Sequence, residues 1–161
     1  MTTHCTQPSP LGWLSISATT DAITELRFID EADNADNADK NIAPSTPLLQ
    51  SACRQLAEYF AGKRRHFELP LAPRGTPFQH AVWQALQTIP HGRHRSYKDI
   101  ALLVGNPNAM RAVGLANGRN PIAIIIPCHR VIGASGKLVG YAGGLARKSW
   151  LLQHEAAQGN G

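Results

Sequence analysis

The residues of this chain best equipped for chemistry stand in one run, Ile126-Pro127-Cys128-His129-Arg130-Val131. A thiol and an imidazole are side by side there, and a guanidinium follows. Thiolate is the strongest soft nucleophile among side chains, and imidazole exchanges a proton most readily near neutral pH. A free thiol, with an ordinary pKa of about 8.5, is mostly protonated at neutral pH and needs a base or a cation beside it to react. The pairing points to nucleophilic attack by sulfur. For a single free cysteine, the competing reading is a small buried hydrophobe.

The elements around this run decide how the thiol is held. Ile122-Ala123-Ile124-Ile125-Ile126 is apolar, rich in β-branched residues and bounded by Pro121 and Pro127. That composition predicts a short buried strand, ended by Pro127 because proline cannot donate to a ladder. The thiol would then sit at the rim of a rigid element. Further back, Thr76-Pro77 opens a helix with Phe78, Val82, Trp83, Leu86 and Ile89 on its apolar face, stopped by Pro90-His91-Gly92. Ser96 and Asp99 form a capping box for a second helix running through Leu102-Leu103 to Gly105. After Asn106-Pro107-Asn108 a third helix spans Ala109 to about Asn117, and the last two make a candidate helix-turn-helix. The final helix of that pair is rich in small residues, and Arg111 is the side chain on it that projects far.

The first half reads differently. Leu11, Trp13-Leu14, Ile16 and Ala18, then Ile23, Leu26, Phe28 and Ile29, predict a hairpin turning at Thr19-Thr20-Asp21. The Ala-Asp-Asn near-repeat that follows has no residue able to build a core and predicts a solvated, mobile acidic loop over 31–44. A helix starts at Ser45 or Thr46 with Pro47 in its first turn and ends at Gly62. Leu48, Leu49, Cys53, Leu56, Ala57 and Phe60 mark its apolar face, which makes Cys53 a core residue. Phe67-Glu68-Leu69 is strand-like, and Pro70, Pro73 and Gly75 form a linker. The expected organisation is an α+β chain: an α/β domain over 1–75 with a small antiparallel sheet, and a mostly helical domain over 76–161 carrying Cys128.

Composition narrows the partners. Residues 1–75 carry seven Lys/Arg and nine Asp/Glu, whereas residues 76–161 carry nine Lys/Arg and two Asp/Glu. The second half suits a polyanion such as nucleic acid, or is simply a basic soluble surface. No apolar stretch is long enough to span a bilayer, and the N-terminus has no signal-peptide pattern, so a cytoplasmic protein without a membrane partner is expected. The three cysteines, at 5, 53 and 128, are odd in number and far apart in sequence. They form no disulfide framework and fit a reducing compartment. His4-Cys5 and the scattered histidines lack the spacing of a zinc site.

Taken together, Ser96-Tyr97, Arg111-Ala112-Val113-Gly114, Asn120-Pro121, Pro127-Cys128-His129-Arg130-Val131, Gly140-Tyr141-Ala142-Gly143-Gly144-Leu145 and Lys148-Ser149-Trp150-Leu151-Leu152-Gln153-His154-Glu155 resemble the C-terminal domain of the O6-alkylguanine-DNA alkyltransferases. Six separate blocks agree in order and spacing over about half the chain. The resemblance implies a winged helix-turn-helix against the minor groove, a flipped nucleotide, no cofactor and a protein that acts once; no metal is expected from the spacing of its histidines and cysteines, and a monomer is expected. It implies transfer of an alkyl group from O6 of guanine, and less readily from O4 of thymine, to Cys128.

By the same resemblance, His129 takes the thiol proton through a bound water, Glu155 orients the imidazole, and Asn120 ties the active-site segment by hydrogen bonds near Val131. Tyr97 would donate to the leaving base. Val131, Tyr141, Ala142 and Gly143 would line the base pocket, and Arg111, Ala112, Gly114 and Tyr97 would meet DNA, with Arg111 filling the gap left by the flipped base. Read without the family, Glu155 is a solvated helix residue, Asn120 a turn residue, Tyr97 a packing residue and Arg111 a phosphate contact. Met110 is bulkier than the family's pattern and either packs inward or alters the fit to the groove. Arg130 is expected to serve structure. The main rival function is a non-catalytic binder of alkylation damage, against which the presence of Cys128 argues. A cysteine hydrolase is disfavoured because no oxyanion hole is evident.

Overall fold

Thr3–Ser9 (β1), Gly12–Ala18 (β2) and Ile23–Phe28 (β3) form an antiparallel sheet in that order, with Cys5 opposite Ile16 and Ile16 opposite Leu26. The computed structural model describes residues 2–29, 41–133 and 135–158. Those residues divide into two units, Met1–Arg74 and Gly75–Gly161. The expected hairpin is β2 with β3, and β1 is a further strand that weak alternation hid. Leu14, Ile16 and Ala18 alternate onto the buried face.

Against the sheet packs α1 (Pro47–Phe60). Thr46 is its N-cap, accepting from the Leu49 N–H at 3.2 Å, and Gly62 follows its end at φ 76°. Its buried face is Leu49, Ala52, Gln55, Leu56 and Tyr59. Cys53 is therefore only half-buried, and Ala57 is exposed. The stripe lies about one position from the expected one, because the aromatic ring of Tyr59 and the amide of Gln55 point inward. Gln55 also explains why Phe67-Glu68-Leu69 is not a strand. Its side chain accepts from the Glu68 N–H at 2.8 Å and donates to the Glu68 carbonyl at 3.2 Å, replacing a strand partner. Nearby, only Leu71 bridges Ile23. The acidic loop expected over 31–44 lies outside the described residues up to residue 40. Beyond it, Ile42 exchanges hydrogen bonds with Thr6.

In the second unit, α2 (Pro77–Leu86) is capped by Thr76 and Gln79 in a reciprocal box. α3 (Tyr97–Leu103) has the expected box of Ser96 and Asp99. α4 (Met110–Gly118) follows a turn at Gly105 with φ 80°. Trp83 is buried and donates its indole N–H to the Ala116 carbonyl at 2.9 Å, fixing α2 on α4. α5 (Leu145–Ala157) completes the unit.

Ile122–Ile126 is not a strand. Ile122, Ile124 and Ile126 are buried as their composition demands, but the backbone winds through tight turns. The Ile125 N–H bonds to Ala123 and the Ile126 N–H to Ile122. Ile124 has φ 71°, the only positive φ outside glycine among the described residues. Such a conformation costs a β-branched residue about 1–3 kcal/mol and persists only where its surroundings impose it. Asn120 is what imposes it: its side-chain oxygen accepts from the Ile122 N–H at 3.0 Å and its amide donates to the Ile126 carbonyl at 2.7 Å. Burial was readable from β-branched content, but a side-chain clamp was not. After the turns, Cys128–Arg130 makes one 3-10 turn and Val131–Ile132 (β5) pairs in parallel with Arg95–Ser96 (β4). That pairing places the start of α3, with Tyr97, beside the residues that follow Cys128.

Candidate active site

The 3-10 turn fixes Cys128, His129 and Arg130 with their side chains buried, at 6%, 0% and 7% exposure. Two of these side chains then converge on Glu155, which α5 carries at 1% exposure. His129 Nε2 lies 2.8 Å from Glu155 Oε2. Arg130 donates from Nε to Oε1 at 2.8 Å and from Nη2 to Oε2 at 3.0 Å, and from Nη1 to the Ile89 carbonyl at 2.7 Å. Burial alone would raise the Glu155 pKa, but the hydrogen bond from His129 and the hydrogen bonds and charge of Arg130 outweigh it and hold the carboxyl well below the usual range. Glu155 is therefore an anion, and His129 and Arg130 together keep it one.

An ionised carboxylate accepts, so His129 donates from Nε2, which leaves Nδ1 as the basic nitrogen. That Nδ1 is buried, and no described residue hydrogen-bonds it. Burial lowers the His129 pKa, and Glu155 opposes this only in part. The ring is thus neutral at neutral pH with a lone pair available. Burial likewise pushes the Cys128 thiol up, against hydrogen bonding from the Asn120 side chain and the positive charge of Lys148. The resting sulfur is a thiol that needs a base.

Sequence reasoning undervalued three groups. Arg130 ties down more than a chain end: it forms a two-toothed pair with Glu155. Lys148 is fully buried and donates to the Val139 carbonyl at 2.8 Å, its cation supporting a thiolate at Cys128. Asn117, buried on α4, donates to the Cys128 carbonyl at 3.4 Å. A buried lysine or asparagine leaves no mark in hydropathy, although its place on the inner face of a helix is a signal. Asn120 bonds to Ile122 and Ile126, not near Val131 as expected, because the turns bring those groups to it.

The remaining expected residues differ in exposure. Val131 is buried. Tyr97 is half-buried and donates to the Val139 carbonyl at 3.0 Å; burial raises its pKa. Burial raises Tyr141 well above the ordinary phenol value. Ala142 is exposed and Gly143 half-buried. Arg111 and Ala112 are exposed on α4, with Gly114 half-buried. Met110 is 43% exposed, so it does not pack inward.

Residues 77–157 match the family model of the 6-O-methylguanine DNA methyltransferase DNA-binding domain, and residues 4–73 match its ribonuclease-like domain. The chain belongs to the methylated-DNA–protein-cysteine methyltransferase family. A relative of that name from Mycolicibacterium paratuberculosis is 49% identical over 155 residues, covering 96% of this chain and 93% of its own. The constitutive methylated-DNA–protein-cysteine methyltransferase of Bacillus subtilis is 49% identical over 159 residues, covering 96% of each. The crystal structure of Mycobacterium tuberculosis OGT in complex with DNA superposes with a TM-score of 0.86 at 48% identity, over 96% of this chain and 93% of that one. The α+β fold read from the sequence is the fold of this methyltransferase family. Membership also carries the family's class of activity, alkyl transfer in DNA repair, with DNA as partner. Among the described residues, no group of three or more His, Cys, Asp or Glu could hold a metal ion, and no helix is long and apolar enough to cross a membrane.

Proposed function

We propose that this methyltransferase repairs O6-alkylguanine in duplex DNA, and O4-alkylthymine less readily, by moving the alkyl group irreversibly to Cys128. The observation that carries this reading is the chain of groups behind the thiol. His129 is neutral, its Nε2 is committed to Glu155, and its Nδ1 is the free base. The Cys128 proton passes to Nδ1 through a water, and Glu155 stabilises the imidazolium that forms. The sulfur–carbon bond forms as the carbon–O6 bond breaks, and that electron pair leaves with the base. Tyr97 donates to the departing guanine, exchanging the Val139 carbonyl for the base. The thioether has no route back to a thiol, so each molecule acts once.

The base must leave the duplex to reach a buried sulfur, which costs a few kcal/mol. Arg111, on the exposed side of α4, takes its place in the stack from the minor groove. Ala112 and Gly114 give that helix a low profile. A methyl added at Gly114 would meet only the Tyr97 ring, at an ordinary 3.9 Å, so the demand for a small residue comes from the groove rather than from the fold. Val131, Tyr141, Ala142 and Gly143 line the base pocket, and Asn120 holds the segment that presents the thiol. The protein works as a cytoplasmic monomer without a cofactor.

The test is intact-protein mass after incubation with a duplex containing one O6-methylguanine. One added methyl, saturating at one per molecule and mapped to Cys128, is the expected result. Tight binding without any mass gain would overturn it in favour of a damage-binding protein.

A further inference from the structure

The sequence separates Cys5 from Cys53 by 48 positions, but the fold brings their sulfurs to 3.5 Å. Cys5 lies on β1 with no exposed surface, and Cys53 lies half-exposed on α1. Two positions along β1, Gln7 donates to the Cys53 carbonyl at 2.8 Å. Strand and helix are thus pinned together beside the thiols, and the pair is held by the packing of the first unit. A disulfide bond is about 2.05 Å long, so bonding requires closure of roughly 1.5 Å. Neither thiol has a part in alkyl transfer as described above.

We propose that Cys5 and Cys53 are a modification site, at which a hydroperoxide oxidises the two thiols to a disulfide joining β1 to α1. Cys53 is the attacking residue because it is the partly exposed one of the two, whereas Cys5 is fully buried. Its thiolate displaces one oxygen of the peroxide, which leaves as water once protonated, and becomes a sulfenic acid. The Cys5 sulfur then attacks that sulfur, the S–S bond forms, and the hydroxyl leaves as a second water. Two thiols lose two electrons and two protons, and one peroxide becomes two waters. Either sulfur can donate in that contact; with Cys5 donating, the hydrogen bond lowers the Cys53 pKa against the effect of burial, which suits the partly exposed Cys53 as the attacking thiol. Cys128 is the opposite case, buried and pushed up in pKa, so mild oxidation spends the pair and spares it.

The experiment treats the full chain with a small excess of hydrogen peroxide and follows intact mass and non-reducing peptide maps. The expected product has lost two hydrogens, contains a linked Cys5–Cys53 peptide, and returns to the thiol form with dithiothreitol. It melts several degrees higher than the reduced protein, because the bond closes a long loop in the unfolded chain. It still accepts one alkyl group per molecule. In C5A, Cys53 stops at a sulfenic acid that dimedone traps; C53S, changed at the half-exposed position, leaves Cys5 unoxidised and serves if C5A does not fold. Sulfinic acid at Cys53 in place of a link, a link through Cys128, or no reaction where glutathione is oxidised would each overturn the proposal.

Discussion

The sheet unit and the segment around Cys128 are both well buried, but they are held in different ways. In the sheet unit, alternating Leu14, Ile16 and Ala18 meet the i, i+3, i+7 stripe of Leu49, Ala52 and Leu56, and most backbone groups are satisfied within ladder or helix. From Asn120 to Ile132 regular structure is reduced to one 3-10 turn and a two-residue strand. There side chains do much of the satisfying: Asn120 bonds Ile122 and Ile126, Asn117 bonds Cys128, and Arg130 reaches out to Ile89 and Glu155. A regular element places many residues approximately through many weak contacts. The irregular one places a few reactive atoms exactly where strong polar contacts hold them, so its function and stability rest on single residues.

The sharpest separation of those two properties is C128S. Transfer should vanish, since a hydroxyl in this setting is far less nucleophilic, while stability and DNA binding should change little. Any residual single-methyl product on intact mass would move the acceptor elsewhere. Next in size is R130M. Removing one partner of a buried ion pair strands the other charge, at a cost of about 3–5 kcal/mol. Urea midpoints at constant slope would record that loss. A loss under about 1 kcal/mol would mean that His129 alone suffices to hold Glu155.

Acid should expose the same dependence. The folded pKa of His129 is depressed below its ordinary 6.5 and that of Glu155 below its ordinary 4.5. Between each folded value and its unfolded one, the unfolded chain binds more protons, so stability rises with pH through both windows. The stabilisation is fully present above about pH 6.5. It falls first as the pH drops below that value, through His129, and again below about 4.5, through Glu155. Urea midpoints across pH 8 to 4 would follow the decline, and H129Q should remove the upper step. A midpoint flat between pH 7 and 5 would contradict a buried neutral imidazole. Transfer itself should weaken over the upper window, because protonated His129 cannot take the Cys128 proton.

What the sequence disclosed follows the same division. Caps, helix starts and the α+β arrangement were legible because Thr46-Pro47, Thr76-Pro77 and Ser96 with Asp99 act locally. His129 and Glu155 were named through their motif blocks, and the fold sets them 2.8 Å apart. The Ile122–Ile126 strand was misread because β-branched composition reports burial, while Asn120 imposes the turns through contacts that no periodicity encodes. The forked pair between Arg130 and Glu155 and the Cys5–Cys53 contact span 25 and 48 positions, distances at which a single sequence has no geometric signal.

Two amides allow the comparison to be pressed further. Asn120 and Gln55 each satisfy a backbone N–H and a backbone carbonyl of a neighbouring segment. They differ in setting. Ile122 and Ile126 have no exposed surface, so in N120A the Ile122 N–H loses its partner where water cannot replace it, while the Ile126 carbonyl keeps only the Cys128 N–H. The expected cost is about 2–3 kcal/mol, with slower transfer because the clamp ahead of Cys128 is gone. Glu68 is exposed, so in Q55A water takes over its backbone groups, and the expected cost is about 1 kcal/mol, with transfer unchanged. Paired urea titrations and single-turnover rates would decide. Equal costs would mean that the sheet unit depends on side-chain clamps as heavily as the reactive segment does. A transfer defect in Q55A would mean that the sheet unit takes part in placing the thiol.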